Sequence, residues 1–254
     1  WNPVRLAHEI SMLDILLKGR RLHLGIGRGI APHEYASLGY PMEESHKYFY
    51  DVIRAIKASD GAERFQFDGE IYKIPPTTIR PQARHKGDLT KKIKVAFTTE
   101  ASAKLAAENG LGQMFVSGDN LDDMTKQVQR FNKIRCDIGL APDQPTTLLW
   151  MYCAETASEA EEGWEYFYNQ LTAAQHHYFE WNNPGFEGIN GYEEYLKRQT
   201  ADVGAADTSF TARKRTQPIG TPSDIIDKIK AIQQSLSVET IVIHAFYGGM
   251  PKDK

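Results

Sequence analysis

The stretch Arg21-Leu-His-Leu-Gly-Ile-Gly-Arg-Gly29 lies near the start of this chain of 254 residues. Its apolar residues alternate, which predicts a short β-strand over 21–27, and the glycines after it predict a tight turn. Glycine lets the backbone approach a ligand closely, and the guanidinium fork of Arg28 suits an anion such as phosphate. The stretch predicts a strand ending in an anion-binding turn, but the spacing alone favours an ordinary turn with a solvated arginine.

The glycines of this turn do not form a dinucleotide-binding fingerprint. Ile30 stands where the last glycine of GxGxxG belongs, and Ala31-Pro32 follows where a helix would have to open directly. We expect the chain from Pro32 to Gly39 to be a loop. Glu34 in this loop is either a partner that orients Arg28 or a solvated carboxylate.

The composition is that of an ordinary globular protein, with 41% hydrophobic and 25% charged residues and a formal net charge of −3. This charge gives no basic surface for nucleic acid, and no apolar run is long enough for a membrane span. Cys136 and Cys153 form no metal or redox motif, so we expect two buried thiols in a cytoplasmic protein. The eight histidines show no metal-ligand spacing, so we expect no metal site.

Helical and strand patterns alternate along the rest of the chain. The first predicted helix begins at Pro3 and ends before Gly19. Further helices are predicted at about 42–59, 98–110, 120–138, 158–180 and 222–236. Besides 21–27, the predicted strands lie at 91–98, 113–117, 146–154 and 238–244. A short hairpin is expected at 65–71, and residues 182–218 are expected to be irregular apart from a short helix at 191–199.

This order implies a parallel sheet with crossover helices. Five strands are compatible with an open doubly wound sheet and with part of an eight-stranded barrel. The periodicity of the sequence does not decide between these two folds.

Several motifs carry a resemblance to a known family, in the order in which that family has them. They are Asn2-Pro3-Val4-Arg5-Leu6-Ala7, Leu24-Gly25-Ile26-Gly27-Arg28-Gly29, Glu34-Tyr35, Met42-Glu43-Glu44-Ser45, Pro81-Gln82 and Ile219-Gly220-Thr221-Pro222. The sequence resembles the luciferase-like flavin monooxygenase family, and the motifs span most of the chain.

The resemblance implies a TIM-type (β/α)8 barrel. It further implies one partial barrel domain over 1–254 that lacks about three N-terminal strands and the final helix. Residues 155–218 would be the variable insertion of the family. The catalytic histidine familiar in luciferases would belong to the N-terminal portion, so no catalytic acid or base is assigned.

The resemblance also implies cofactor-binding residues. The arginine of the glycine turn contacts the FMN phosphate in this family, which implies Arg28 with Gly27 and Gly29. The second contact would come from Thr98, Thr99 and Ser102, where a helix N-terminus would also offer N–H groups to an anion. The family often has Glu-Ser where this chain has Ala101-Ser102.

Two residues are candidates for a substrate pocket. His244 ends the last predicted strand, where barrel active sites lie, but it is equally well explained as a satisfied histidine of the barrel wall. Tyr178 belongs to an aromatic run that suits helix packing, an apolar pocket or a dimer contact.

The function implied is an FMN-dependent monooxygenase that uses reduced flavin and O2 to oxidise a small organic substrate. The reduced FMN would come from a flavin reductase, and a homodimer is expected from the family. Two alternatives remain: a dehydrogenase or reductase on the same fold that uses a deazaflavin coenzyme, and a non-catalytic flavin-binding paralogue.

Overall fold

The structure, a computed structural model, describes residues 1–97, 100–116, 120–178, 183–189, 192 and 203–251. Within these ranges the helices are α1 Pro3–Leu16, α2 Pro32–Leu38, α3 Ser45–Ser59, α4 Glu100–Glu108, α5 Leu121–Asp137, α6 Ala157–Ala173, α7 Val203–Thr216 and α8 Pro222–Leu236. The strands are β1 Leu24–Ile26, β2 Phe65–Asp68, β3 Lys73–Thr77, β4 Ile93–Val95, β5 Gly112–Val116, β6 Thr146–Trp150, β7 Tyr152–Cys153, β8 Ile219–Gly220 and β9 Thr240–His244.

The central element is a five-stranded sheet in the order β1-β4-β5-β6-β9. All four pairings are parallel, and neighbouring strands are joined through helices, as the alternation of the sequence predicts. The sheet forms a half-barrel, which confirms the predicted α/β class. Because the strands are parallel, all five carboxyl ends meet at one edge.

One face of the sheet packs against the helices. Ile93 and Val95 of β4 are buried in a core with α1, α3 and α4, and Leu149 of β6 is buried against α5 and α8. The register places Gly25, Lys94 and Gly112 in one row on the opposite face. The strands therefore have one face covered by helices and one face on which two of these three positions carry no side chain.

Several predicted elements have other boundaries in the structure, and the hairpin expected at 65–71 extends to Thr77. The expected loop after Gly29 contains α2, because Pro32 occupies its first turn and Gly39, with φ of 72°, ends it. The single strand expected at 146–154 is divided into β6 and β7. The helix expected at 158–180 ends at Ala173 and continues as a π-type turn over Ala174–Tyr178.

The expectation that 182–218 is irregular is wrong at its end. Helix α7 begins at Val203, and its sequence VGAADTSFTARKRT shows little helical periodicity of apolar residues, so its pattern gave no signal. Its Phe210 packs against Trp164 of α6 with ring centroids 5.9 Å apart. The helix predicted at 191–199 lies outside the described residues apart from Tyr192.

The expectation that both cysteines are buried is also wrong, since Cys136 and Cys153 are exposed. Helix α5 buries Met124, Val128 and Phe131, and Cys136 lies off this stripe. Tertiary packing, and not residue type, decides their exposure.

A buried aspartate lies on the packed face of each of two helices. Leu13 of α1 is exposed because the buried face of α1 includes Asp14, which accepts hydrogen bonds from the backbone N–H (2.9 Å) and the Nδ1 (2.7 Å) of His85. Asp51 of α3 is buried and accepts hydrogen bonds from the backbone N–H groups of Ile71 and Tyr72. These contacts hold the polar stretch 60–90 against the helices.

Burial alone would raise the pKa of Asp51. The backbone N–H groups of Tyr72 and Ile71 and the guanidinium of Arg54 outweigh it, so the pKa lies below its ordinary value of 3.8. The carboxylate therefore contributes stability that is fully present above pH 3.8 and is lost as the pH falls through the lower folded-state pKa.

We expect Asp51→Asn to lower the free energy of unfolding by about 2–3 kcal/mol near neutral pH, because an amide cannot satisfy three donors. The matched control is Asp68→Asn, which changes an exposed aspartate paired with Lys73 on the same hairpin and should cost about 0.5 kcal/mol or less. Urea unfolding of both variants measures the difference, which should shrink below about pH 4. Equal losses in the two variants would contradict this role of Asp51.

Candidate functional site

A cavity of about 470 Å³ lies beside the carboxyl ends of β1, β4 and β5. Arg28 stands at this cavity with Gly27 and Gly29 on either side, and Ser102 of α4 lines it as well. The structure thus brings together four of the six residues that the sequence predicts for cofactor binding. Thr98 and Thr99 lie outside the described residues.

The turn after β1 is held by two tyrosines. Gly29 has φ of 91°, a conformation that glycine adopts without strain. The hydroxyl of Tyr35 donates to the carbonyl of Arg28 at 2.6 Å, and the hydroxyl of Tyr192 donates to the carbonyl of Gly29 at 2.7 Å. Burial raises the pKa of Tyr35, so this hydroxyl remains a donor at neutral pH.

Among the described residues, His46 and Tyr192 contact the guanidinium of Arg28. Its Nη1 lies 2.7 Å from Nε2 of His46, and its Cζ lies 4.6 Å from the centroid of the Tyr192 ring. His46 is the second residue of α3, so it stands at the positive end of that helix. The contacts orient a cation at the cavity and place a second titratable group beside it.

Helix α4 contributes Ser102 of its first turn to the same cavity. Ser102 is the third residue of this nine-residue helix, and its hydroxyl is a donor that suits a phosphate oxygen. The first N–H groups of a helix have no partner within the helix and favour an anion. Arg28 and the start of α4 therefore provide two kinds of donor at one cavity.

The remaining wall of the cavity is mostly apolar. Phe49 comes from α3, Phe97 follows β4, and Met114 and Phe115 belong to β5. Gly25 of β1 lies directly beneath Met114, since a Cβ at Gly25 would come within 2.8 Å of Sδ of Met114. A cavity with a cation at one place and apolar walls elsewhere suits a ligand that has an anionic group and a flat apolar part.

His244 lies at the same end of the sheet, but on β9 at the opposite edge from β1. Gln170 accepts a hydrogen bond from the backbone N–H of Gly248 through Oε1, so its Nε2 donates to Nε2 of His244 at 3.0 Å. This contact leaves the proton of a neutral His244 on Nδ1. His244 does not line the cavity beside Arg28, and its place in a substrate pocket stays a prediction.

The structure places Tyr178 away from that cavity. Its hydroxyl donates to Oε1 of Glu34 at 2.9 Å, and its side chain is exposed. In the described part of the chain, Glu34 therefore has Tyr178 as its hydrogen-bond partner and forms no ion pair with Arg28.

Three residues of the site were not found from the sequence: Tyr35, His46 and Tyr192. A signal existed for His46, which follows the Met42-Glu43-Glu44-Ser45 motif at the start of a helix. Tyr192 lies 163 positions after Gly29, so no local pattern links the two residues.

The described residues contain no group of three or more His, Cys, Asp or Glu side chains that could hold a metal ion. Across the same ranges, every helix is too short or too polar to cross a membrane.

Comparison with curated proteins shows a relative of known activity. The oxygenase component of a flavin-dependent trigonelline monooxygenase from Acinetobacter baylyi is 25% identical over 241 residues. The alignment covers 92% of this chain and 63% of that protein, so the chain spans less than two thirds of its length.

Solved structures show the same fold. A monooxygenase from Streptomyces bottropensis aligns with a TM-score of 0.72 and 24% identity, covering 99% of this chain and 69% of that one. The oxygenating constituent of 3,6-diketocamphane monooxygenase from Pseudomonas putida, solved with FMN, aligns with a TM-score of 0.64 and 19% identity over 96% and 70%. A coenzyme F420 dependent tetrahydromethanopterin reductase from Methanopyrus kandleri aligns with a TM-score of 0.63 and 13% identity over 95% and 73%.

A family model described as luciferase-like monooxygenase matches residues 1–239. Because the match covers nearly all of the 254 residues, and the parallel half-barrel agrees with it, the chain belongs to the luciferase-like monooxygenase family.

Proposed function

We propose that this chain is the flavin-binding part of an FMN-dependent monooxygenase that oxidises a small organic substrate with O2. The observation that carries the proposal is the arginine of the glycine turn, held at the cavity beside the carboxyl ends of the strands. The similarity to the oxygenase component of trigonelline monooxygenase supports the reaction class, and it suggests a separate flavin reductase as a partner.

The residues at the cavity fit FMN. Arg28 and Ser102 would bind the phosphate, with the first turn of α4 beside them. The space beside Gly27 is open, since apart from its two chain neighbours no residue has an atom within 4 Å of where its Cβ would lie. The volume of about 470 Å³ is in the range typical of small-molecule sites.

Bound reduced FMN would supply the electrons that activate dioxygen. The residues of this chain would hold the cofactor, orient it through its phosphate and exclude water. Phe97, Met114 and Phe115 present apolar surface to the cavity and would keep the site dry. These apolar residues would thereby prevent side reactions with water.

The proposal extends to the rest of the fold. Among the described residues, β1 and β9 each have one strand partner in the central sheet, and further parallel strands would complete a (β/α)8 barrel. The segment 155–218 would be the variable insertion that covers the site, because Tyr192 from this segment lines the cavity. His244 would belong to the substrate side of that site.

The first test is Arg28→Ala. We expect the affinity for oxidised FMN to fall by about 10- to 100-fold, which corresponds to the roughly 1.5–3 kcal/mol of a charge-assisted hydrogen bond. Riboflavin, which lacks the phosphate, should bind both proteins equally. Quenching of flavin fluorescence measures both affinities.

Arg21→Ala is the matched control for this test. Arg21 belongs to the same stretch of sequence, but it precedes β1, whereas Arg28 follows it. Arg21 is exposed and forms an ion pair with Glu239. Its removal should leave FMN affinity unchanged. A similar loss in both variants, or unchanged affinity in Arg28→Ala, would reject Arg28 as the phosphate ligand.

A second pair of variants separates the two contacts of Tyr192. Tyr192→Phe keeps the ring against Arg28 and removes the donor to Gly29, so we expect FMN affinity to fall by about threefold to tenfold. Tyr192→Leu removes the ring as well and should weaken FMN further, because the cation–π contact is worth about 0.5–2 kcal/mol. The same fluorescence titration ranks the variants, and equal affinity for all three proteins would contradict the contribution of the ring.

Oxygen uptake separates the monooxygenase from its alternatives. With reduced FMN and a flavin reductase, we expect the whole protein to consume O2 faster when its substrate is present. Hydride transfer with a deazaflavin coenzyme and no O2 uptake would favour the reductase. Tight binding of FMN with no reaction of either kind would indicate a flavin-binding paralogue.

A further inference from the structure

We propose that His46 is a second ligand of the phosphate group and takes up a proton when the phosphate binds. The inference rests on the proposed function, since it assigns a further residue to the FMN phosphate site. It starts from the hydrogen bond between Arg28 and His46, which lie 2.7 Å apart through Nη1 and Nε2.

The chemistry of this contact decides the protonation state of the histidine. A guanidinium has N–H donors and no acceptor, so Nη1 of Arg28 donates and Nε2 of His46 accepts. His46 is therefore a neutral imidazole here, with its proton on Nδ1. Its position in the first turn of α3 also favours the neutral form, because the positive end of the helix opposes a second cation.

A phosphate monoester changes this balance. It carries a charge of about −1.5 to −2 at neutral pH and has three acceptor oxygens. Among the described residues that line the cavity, Arg28 is the one with a permanent positive charge. Within the described lining, one guanidinium leaves about one negative charge without a counterion in a mostly apolar cavity, which is costly.

His46 can remove this cost because it lines the same cavity. A proton taken from solvent onto Nε2 turns the acceptor into a charged donor that points towards the phosphate, while Arg28 donates to another phosphate oxygen. No other covalent bond forms or breaks in this step. The Arg28–His46 hydrogen bond of the unliganded protein would thus be exchanged for two hydrogen bonds to the ligand.

The following described residues also lie near His46, and none of them brings a positive charge to the cavity. The ring of Tyr50 on α3 lies 5.7 Å from the imidazole, and Tyr192 stacks on Arg28. Burial raises the pKa of Tyr35, whose hydroxyl donates to the backbone of Arg28. Next to His46 in sequence, Lys47 forms ion pairs with Glu44 and Glu70.

The experiment is titration calorimetry of the chain with FMN at about pH 7.5, in buffers that differ in ionisation enthalpy. At this pH a free imidazole is mostly neutral and a phosphate monoester mostly dianionic, so we expect uptake of about one proton per FMN. Riboflavin should bind with no proton uptake. The affinity of the wild-type chain for FMN should rise as the pH falls from about 9 to about 7.5.

His46→Gln is the matched variant, because a glutamine amide can accept from Arg28 and donate to phosphate but cannot take up a proton. We expect it to bind FMN about tenfold more weakly and with proton uptake near zero, while riboflavin binds as before. The comparison of FMN with riboflavin in the wild-type chain tests the proposal even if the variant does not fold.

The outcomes separate this inference from the proposed function. FMN binding that depends on Arg28 but occurs without proton uptake would overturn the role of His46 and leave the flavin site intact. The same result follows if wild type and His46→Gln take up equal numbers of protons. Absence of FMN binding by the wild-type chain would overturn both proposals.

Discussion

Two tyrosine hydroxyls hold the turn on which the site depends. Tyr35 and Tyr192 donate to the consecutive carbonyls of Arg28 and Gly29, while Gly29 takes a positive φ. Backbone carbonyls removed from water need such donors, so the turn has its partners before a ligand arrives. The hydroxyl oxygens of the two tyrosines also lie 3.3 Å apart. Pre-organisation of this kind lowers the entropic cost of binding an anion.

The parallel sheet decides where this turn can act. Because the strands share one direction, the turn after β1, the start of α4 and His244 at the end of β9 lie at the same end of the sheet. Towards the other end of the sheet, Lys94 of β4 is largely buried and donates to Asp143, which precedes β6, at 2.8 Å. Glycine at 112 makes room for the lysine side chain, whose Cδ would lie 2.5 Å from a Cβ. The end of the sheet where the strands terminate thus offers ligand-binding groups, and an ion pair stabilises the sheet towards the other end.

Buried carboxylates connect the polar segment 60–90 to the helices. Burial would raise the pKa of Asp14, but the backbone N–H and ring of His85 outweigh it and lower the pKa. Asp51 plays the same part for the hairpin β2–β3. These contacts add to the apolar packing of the segment, in which Phe65, Ile74 and Ile79 are buried, because a buried carboxylate with backbone donors is costly to disrupt. The helices that carry the site are thereby fixed from outside.

The sequence by itself determined the parallel α/β order, the helices that begin at Pro3, Leu121 and Pro222, and the turn with Arg28 at the end of a strand. These features depend on capping, periodicity and glycine, which act within a few residues. Packing decided that Leu13 and the two cysteines are exposed. Packing also decided the presence of helix α7, whose sequence has no apolar stripe. The tertiary structure alone decided the partners of Arg28. His46 lies 18 positions from Arg28 in the sequence, and Tyr192 lies 164 positions from it. Folding of the whole chain, and not a local pattern, brings these side chains to the same cavity.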